Sequence, residues 1–182
     1  AAKPSSLHSA ALLLLSSSPI LLFVAFLLLY ALTAAPGVLS GASAKFQLAA
    51  ATLGVPHPTT YPLYTLLGYL ATILLPFGDV AWRVTLISAL SAALTVGLFA
   101  LLARRILGNR WPALVGALAL GFAPGLWNAA TIAEVYAVLA LLMVALALAL
   151  IASGPDWTKL RLRHLWPAAI IAGLGFTHHG LF

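Results

Sequence analysis

A few ionisable side chains interrupt a chain that is otherwise almost wholly apolar. His57 lies in the stretch GVPHPTTYPLY, residues 54–64, whose three prolines restrict the backbone to a rigid, non-helical path. Glu134 is one of only three acids, and His178 and His179 form an adjacent pair. Carboxylates and imidazoles exchange protons with substrates. Irregular backbone among apolar segments is tolerated where it lines a cavity or meets water.

The elements that must position these residues are predicted to be membrane-spanning helices. The chain is 63% hydrophobic and 7% charged, with a mean hydropathy of +1.10, whereas a soluble domain carries about 25% charged residues. Because a span needs about 20 apolar residues, the sequence predicts an all-α, polytopic transmembrane helix bundle of about five spans. The predicted spans are residues 10–35, 80–102, 111–127, 132–151, and 165 to the end.

One shorter apolar run, Leu63–Leu75, has about 13 residues and is expected to form an interfacial or re-entrant helix. The first outer loop then covers residues 36–79 and contains short interfacial helices. With the N-terminus cytoplasmic, seven basic residues lie inside and two outside, as the positive-inside rule expects. The inner residues are Lys3, Arg104, Arg105, Arg110, Lys159, Arg161 and Arg163; the outer ones are Lys45 and Arg83.

The composition also bounds the partners and the extent of the chain. The net charge of +6 resides in short loops at the ends of apolar runs, so nucleic acid is not an expected partner. There is no cysteine, which excludes a thiolate metal site. The chain begins at Ala1 and stops inside an apolar run, so a longer protein is expected. A signal peptide after Lys3 remains an alternative, although the run exceeds the usual length of about 7–15 residues.

This topology predicts that the rare polar groups meet in one outer pocket. Residues in or beside the membrane that can ionise are functional candidates by default. The outer groups are His57, Asp79, Arg83, Glu134, His178 and His179. The histidine pair is placed about 20 Å along the fifth span. Because adjacent helical residues point about 100° apart, this pair is not expected to share one metal ion.

Each of these groups also has a structural interpretation. Asp79 suits a helix N-cap, and Arg83 suits an interfacial position with its charge in water. Glu134 follows Thr131 by three residues, which is the spacing of a capping box. His57 fits an ordinary loop histidine, although its prolines hold the imidazole in a fixed orientation.

Five segments, taken in order, resemble the membrane glycosyltransferases of the GT-C superfamily, in particular the bacterial relatives of protein O-mannosyltransferases. The resemblance covers nearly the whole chain. The segments are GASAKFQ (41–47), LGVPHPTTYPLY (53–64), WRVTLISAL (82–90), LWNAATIAEVYA (126–137) and GLGFTHH (173–179).

The resemblance implies a fold, a location and a reaction. It implies a single transmembrane domain over residues 1–182, the N-terminal part of a larger module, in the bacterial inner membrane. An acid in the first outer loop deprotonates an acceptor hydroxyl, the donor is a polyprenyl-phosphate-linked sugar, and the anomeric carbon is inverted. The implied partners are membrane lipid, the lipid-linked sugar and a protein or glycan acceptor; the need for a divalent metal is left open.

The chain departs from the family pattern where the acids are expected. The family's aspartate falls on Ala42 and its glutamate on Lys45. Alanine cannot accept a proton, and a lysine serves as a base only when its pKa is strongly depressed. Thr60 replaces the usual glycine, which alters a turn that favours positive φ. Loss of activity is therefore one expectation.

Within this resemblance, Glu134 and His57 are the predicted catalytic residues, and Ala42 marks the position of the lost acid. The predicted substrate-binding residues are Lys45, Tyr61, Arg83, Tyr136, His178 and His179. A non-catalytic pseudoenzyme or scaffold is the main alternative function. A transporter or flippase is a weaker alternative, since no charged residue lies in the middle of a predicted span.

Overall fold

The computed structural model describes residues 18–58, 61–152 and 165–180, and these ranges contain eight helices and no strand. This confirms the predicted all-α class. The helices are α1 (Ser18–Thr33), α2 (Gly41–Thr52), α3 (Pro62–Leu74), α4 (Val80–Leu107), α5 (Arg110–Gly121), α6 (Pro124–Thr131), α7 (Tyr136–Ala152) and α8 (Trp166–His178).

Helix α4 is the central element and packs against α1, α2, α3, α5, α6 and α7. Its N-cap is Asp79, whose carboxylate accepts a hydrogen bond from the Ala81 N–H at 2.8 Å, so the N-cap interpretation of Asp79 is confirmed. Its C-cap is Gly108, which adopts φ +62°, a left-handed conformation that glycine tolerates at a helix C-terminus. Its buried residues are mostly Ala, Ser and Thr, which lets neighbouring helices approach closely.

Two groups of buried residues pack on α4. The first joins α1, α5 and α6 to the C-terminal part of α4, around Phe26, Tyr30 and Val96. The second joins α2, α3 and α7 to the N-terminal part of α4, around Phe46 and Tyr64. The second group packs next to the predicted catalytic residues, because Phe46 contacts the His57 ring and Val135 follows Glu134.

Among the described residues, α4 is the one helix long and apolar enough to cross a membrane. Helices α5 and α6 meet at a 56° bend and qualify together as a second crossing if they form one span. Helices α1, α3 and α7 are apolar but shorter. By length and composition, the described residues thus contain one or two helices able to cross a membrane, and the predicted five spans are not shown. Residues 10–17, which belong to the first predicted span, lie outside the described ranges.

The third and fourth predicted spans differ from the helices in the structure. The third, residues 111–127, is broken after Gly121, and Pro124 opens α6, because a residue without an N–H loses no hydrogen bond in the first turn. Helix α7 starts at Tyr136, four residues later than predicted. Thr131 is the last residue of α6, and its hydroxyl donates to the Trp127 carbonyl at 3.0 Å. It therefore does not form a capping box with Glu134.

The predicted outer loop contains α2 and α3, and α3 coincides with the helix expected at Leu63–Leu75. The buried Gln47 side chain ties α2 to its surroundings. Its Oε1 accepts from the Leu39 N–H at 3.0 Å, and its Nε2 donates to Ala81 O and Thr85 Oγ1, both at 3.3 Å. This amide fixes the outer-loop helices against the start of α4.

Candidate functional site

The fully buried hydroxyl of Ser88 fixes the connection between α6 and α7. Ser88 Oγ donates to the Glu134 carbonyl and accepts from the Glu134 N–H, both at 3.1 Å. The Tyr64 hydroxyl lies 3.0 Å from the same oxygen. Because the single Ser88 proton goes to the carbonyl, Tyr64 is the donor in this contact. One side chain on α4 thus positions the backbone of the residue that carries the acid.

The Glu134 carboxylate is half-buried, in a connection outside the helices. Its Oε1 accepts a hydrogen bond from the Val135 N–H at 2.9 Å. Burial raises the pKa of the Glu134 carboxyl above its ordinary value, and this hydrogen bond and the charges of His57 and His179 oppose the rise. The carboxylate therefore lies within electrostatic range of two imidazoles from distant parts of the chain.

Tyr61 is the centre of a group of aromatic rings. Its ring centroid lies 5.6 Å from that of Phe46, 6.4 Å from His57, 6.3 Å from His178 and 5.5 Å from His179. Tyr61 has φ +48°, which is uncommon for a residue with a side chain. Such conformations persist where surrounding packing imposes them, and they concentrate at functional sites. The packing around this ring supplies that constraint.

Tyr136 extends the ring contacts towards the surface. Its ring centroid is 5.6 Å from that of His179, and 52% of the residue remains exposed. We refer to His57, Tyr61, Glu134, Tyr136, His178 and His179 as the carboxylate–imidazole cluster. It brings together the proline-rich segment, the α6–α7 connection and the C-terminal end of α8.

His178 differs from the other cluster members because it is 1% exposed. Its Nε2 lies 3.0 Å from the Val135 carbonyl, and a carbonyl only accepts, so Nε2 carries a proton. Its Nδ1 is buried and has no hydrogen-bond partner among the described residues. This contact joins the end of α8 to the residue that precedes α7, so His178 fixes the cluster against the start of α7.

Arg83, a predicted substrate-binding residue, lies apart from the cluster. Its Nε donates to the carbonyls of Phe77 and Gly78 at 3.0 and 3.1 Å. Nη1 donates to the Thr72 carbonyl at 3.0 Å and Nη2 to the Gly78 carbonyl at 2.9 Å. The guanidinium therefore fastens the C-terminal end of α3 to α4, whereas Tyr61 precedes the opposite end of α3.

Lys45 and Ala42 are exposed on α2. Lys45 lines a cavity of about 290 Å³ between α2 and residues 54–56. Ala42 precedes Phe46 by four residues and therefore lies on the same side of α2, one turn away. The Phe46 ring contacts His57 at 5.5 Å and Tyr64 at 5.6 Å. Ala42, where the family's acid is predicted to fall, thus lies on the cluster side of α2.

Several residues that organise the site were not predicted from the sequence. Ser88, Tyr64 and Gln47 are buried polar residues within apolar helices. The available signal was a polar side chain within an apolar segment, and all three residues lie in segments that carry the family resemblance. Among the described residues, no group of three or more His, Cys, Asp or Glu residues is arranged to hold a metal ion.

The comparisons with known proteins agree on one family. The family model described as "Protein O-mannosyl-transferase TMEM260 N-terminal domain" matches residues 43–182. Protein O-mannosyl-transferase tmem260 of Dictyostelium discoideum is 30% identical over 110 residues, which cover 59% of this chain and 13% of that protein. Protein O-mannosyl-transferase TMEM260 of Mus musculus is 34% identical over 114 residues, covering 63% and 16%. No solved structure matches. The chain thus aligns with a small part of these relatives.

Proposed function

Because this chain belongs to the family of protein O-mannosyl-transferase TMEM260 N-terminal domains, we propose that it forms the N-terminal part of a membrane glycosyltransferase. The enzyme transfers a sugar of the mannose type from a polyprenyl-phosphate-linked donor to a hydroxyl group of a protein or glycan. The reaction takes place at the outer face of the membrane. The shorter apolar helices α1 and α7, which overlap predicted spans, supply further crossings.

The observation that carries this proposal is the convergence of the carboxylate–imidazole cluster. Its members lie more than a hundred residues apart in sequence, from His57 to His179. Ring contacts and the Ser88 hydrogen bonds nevertheless hold them beside one carboxylate. Sugar transfer from a lipid phosphate requires a base for the acceptor and cations for the leaving group. Both kinds of group are available in this cluster.

Glu134 is the base in this proposal. The acceptor oxygen attacks the anomeric carbon, and the bond from that carbon to the phosphate oxygen breaks. The bonding electrons leave with the phosphate, and the hydroxyl proton passes to the carboxylate. Burial raises the pKa of Glu134, which makes its carboxylate a stronger base than an exposed one.

The remaining cluster residues bind and orient the reactants. His57 and His179, when protonated, stabilise the charge that develops on the leaving phosphate. The rings of Tyr61 and Tyr136 offer flat surfaces and hydroxyl groups to the sugar, and Tyr136 is the more exposed of the two. His178 holds its neighbours in place through the Val135 carbonyl.

A second candidate function is donor binding without transfer, as in a pseudoenzyme. Ala42 favours it, because the position of the family's acid lies on the cluster side of α2 and carries no proton acceptor. The two candidates differ in the role of Glu134. It is the base in the enzyme and a binding group in the pseudoenzyme.

Sugar transfer by the full-length protein in membranes distinguishes the two candidates. The assay uses a labelled mannosyl polyprenyl phosphate and a hydroxyl-bearing peptide. Glu134→Gln is expected to lower transfer by about 10²–10⁴-fold, the usual contribution of a base. Arg105→Gln, an exposed change at the far end of α4, is the control and retains transfer.

Donor binding is measured on the same membranes, with Ala42→Asp as a further variant. Binding without transfer by the wild type, together with transfer by Ala42→Asp, supports the pseudoenzyme. If the wild type and Ala42→Asp neither bind nor transfer, both candidates are contradicted.

A further inference from the structure

An apolar groove lies between α1, α3 and α4, away from the carboxylate–imidazole cluster. Its volume is about 560 Å³, and its walls are aliphatic and aromatic side chains. Leu86, Ile87 and Leu90 form the α4 wall, Ala31 lies on the α1 wall, and Leu70 lies on the α3 wall. Helix geometry places Ser88 about 200° from Leu86 around α4, so the groove and the cluster occupy opposite faces of this helix.

Arg83 donates a hydrogen bond to the carbonyl of Phe77, and Phe77 lines this groove. Arg83 precedes Leu86, Ile87 and Leu90 by three, four and seven residues, which puts all four on one face of α4. Its hydrogen bonds to the carbonyls of Phe77 and Thr72 hold the guanidinium beside the loop that contributes Leu75 and Phe77 to the groove wall. The hydrogen bonds of Arg83 to described residues use its Nε–H, one Nη1–H and one Nη2–H. A guanidinium has five N–H groups, so two remain for a ligand.

We infer that this groove binds an acyl chain of one anionic phospholipid, whose phosphate accepts hydrogen bonds from Arg83. The aliphatic walls match a hydrocarbon chain, and the fixed guanidinium matches a phosphate at the chain's polar end. The site requires the membrane placement proposed above but does not require the transfer reaction.

The separation of the groove from the cluster argues for a bilayer lipid rather than the sugar donor. Arg83 binds the Thr72 carbonyl, about 16 Å along α3 from Tyr61 at 1.5 Å per residue. In the donor, the phosphate is bonded directly to the sugar. Arg83 lies on the groove face of α4, whereas Ser88, which bonds Glu134, lies on the cluster face. A phosphate at Arg83 would therefore leave its sugar away from Glu134, so the two sites hold different lipids.

Lipid retention by the full-length protein tests this inference. The protein is reconstituted in nanodiscs of mixed phosphatidylglycerol and phosphatidylcholine, purified again, and analysed by mass spectrometry. The wild type is expected to retain phosphatidylglycerol at least about fivefold over phosphatidylcholine, the selectivity given by one basic residue at a membrane surface. Arg83→Gln is expected to lose this preference.

A second variant guards against misfolding of Arg83→Gln, which also removes protein hydrogen bonds. Ala31→Phe fills the groove and leaves Arg83 intact, so it is expected to reduce the retained lipid at least fivefold. Ala25→Phe, on the exposed side of α1, is the matched control and retains the lipid.

Three results would overturn the inference. One is unchanged lipid retention in both Arg83→Gln and Ala31→Phe. Another is displacement of phosphatidylglycerol by an equal amount of polyprenyl phosphate, which would make the groove a donor site. The third is that inorganic phosphate alone protects the protein from thermal unfolding as well as phosphatidylglycerol does, which would remove any role for the groove. Loss of sugar transfer with unchanged lipid retention would contradict the proposed enzyme and leave this lipid site standing.

Discussion

The two faces of α4 differ in how they are built. On one face, the buried Ser88 hydroxyl satisfies Tyr64 and both backbone groups of Glu134. On the other, Leu86 and Leu90 line an open apolar groove, and Arg83 is bonded to the carbonyl of Phe77, which also lines it. The first face is specified by directional hydrogen bonds, whereas the second is specified by shape and one charge.

This difference indicates what each face tolerates. A buried hydrogen-bond network fails when one member is removed, because its partners are then left unsatisfied in an apolar environment. An apolar surface changes more gradually, since losing one methyl or methylene group costs only the burial of that group. A reaction site needs the first kind of construction, and a lipid site works with the second.

The largest expected effect on stability is at Ser88. Ser88→Ala leaves the Tyr64 hydroxyl and two Glu134 backbone groups without their partner and should lower the free energy of unfolding by about 2–5 kcal/mol. Ser91→Ala is the matched control. Ser91 is also buried on this helix, and its carbonyl, rather than its hydroxyl, accepts the hydrogen bond from the Thr95 hydroxyl. Chemical denaturation of the reconstituted protein measures both. Equal losses in the two variants would contradict the special role of Ser88.

A smaller effect is expected where α2, α3 and α4 meet on the cluster side. A Cβ added to Gly68 would lie 2.7 Å from Ala50 Cβ and 3.3 Å from Val84 Cγ1. Gly68→Ala should therefore cost about 1–3 kcal/mol through overpacking. Gly116→Ala meets only the Phe99 ring, at 3.5 Å. It should be neutral or stabilising by up to about 1 kcal/mol, because alanine favours helix. Thermal unfolding of the two variants compares them, and a stable Gly68→Ala would show that these helices separate readily.

The smallest expected effect is on the pH dependence of transfer. Because burial raises the pKa of Glu134, the acidic limb of kcat/KM should lie above the ordinary carboxyl value of about 4.3. Transfer is lost as the pH falls through this raised pKa, since the protonated carboxyl cannot act as a base. His179→Gln removes a positive neighbour and should move the limb to higher pH. An acidic limb at the same pH in His179→Gln and in the wild type would show that His179 does not act on the Glu134 carboxylate.

The helical elements were largely predictable, but their ends were not. Apolar runs marked the positions of α3, α4 and α7, and Asp79 marked the start of α4. The start of α7 was misplaced because Thr131 and Glu134 have the spacing of a capping box. In the structure, Ser88 takes both backbone groups of Glu134 instead. A bond between residues 46 positions apart leaves no local pattern in the sequence.

The convergence of the rare polar side chains was predictable, but their arrangement was less so. The sequence indicated that His57, Glu134 and His179 would meet, and in the structure His57 and His179 are near enough for their charges to act on the Glu134 carboxyl. It grouped Arg83 with them because its helix begins on the same predicted side of the membrane. The side of the membrane on which a residue lies constrains its position along a helix but not its direction around the helix axis. The separation of Arg83 from Glu134 therefore required three-dimensional information.

The bend between α5 and α6 has a consequence for how this site can vary. Helix α6 has eight residues and is about 12 Å long. Its 56° change of direction displaces its end by about 10 Å from the path of a straight helix. Residues near Gly121 and Pro124, which are not members of the carboxylate–imidazole cluster, thus determine where the Glu134 carboxylate lies. Substitutions at this bend would shift the proposed base while every cluster residue stays the same.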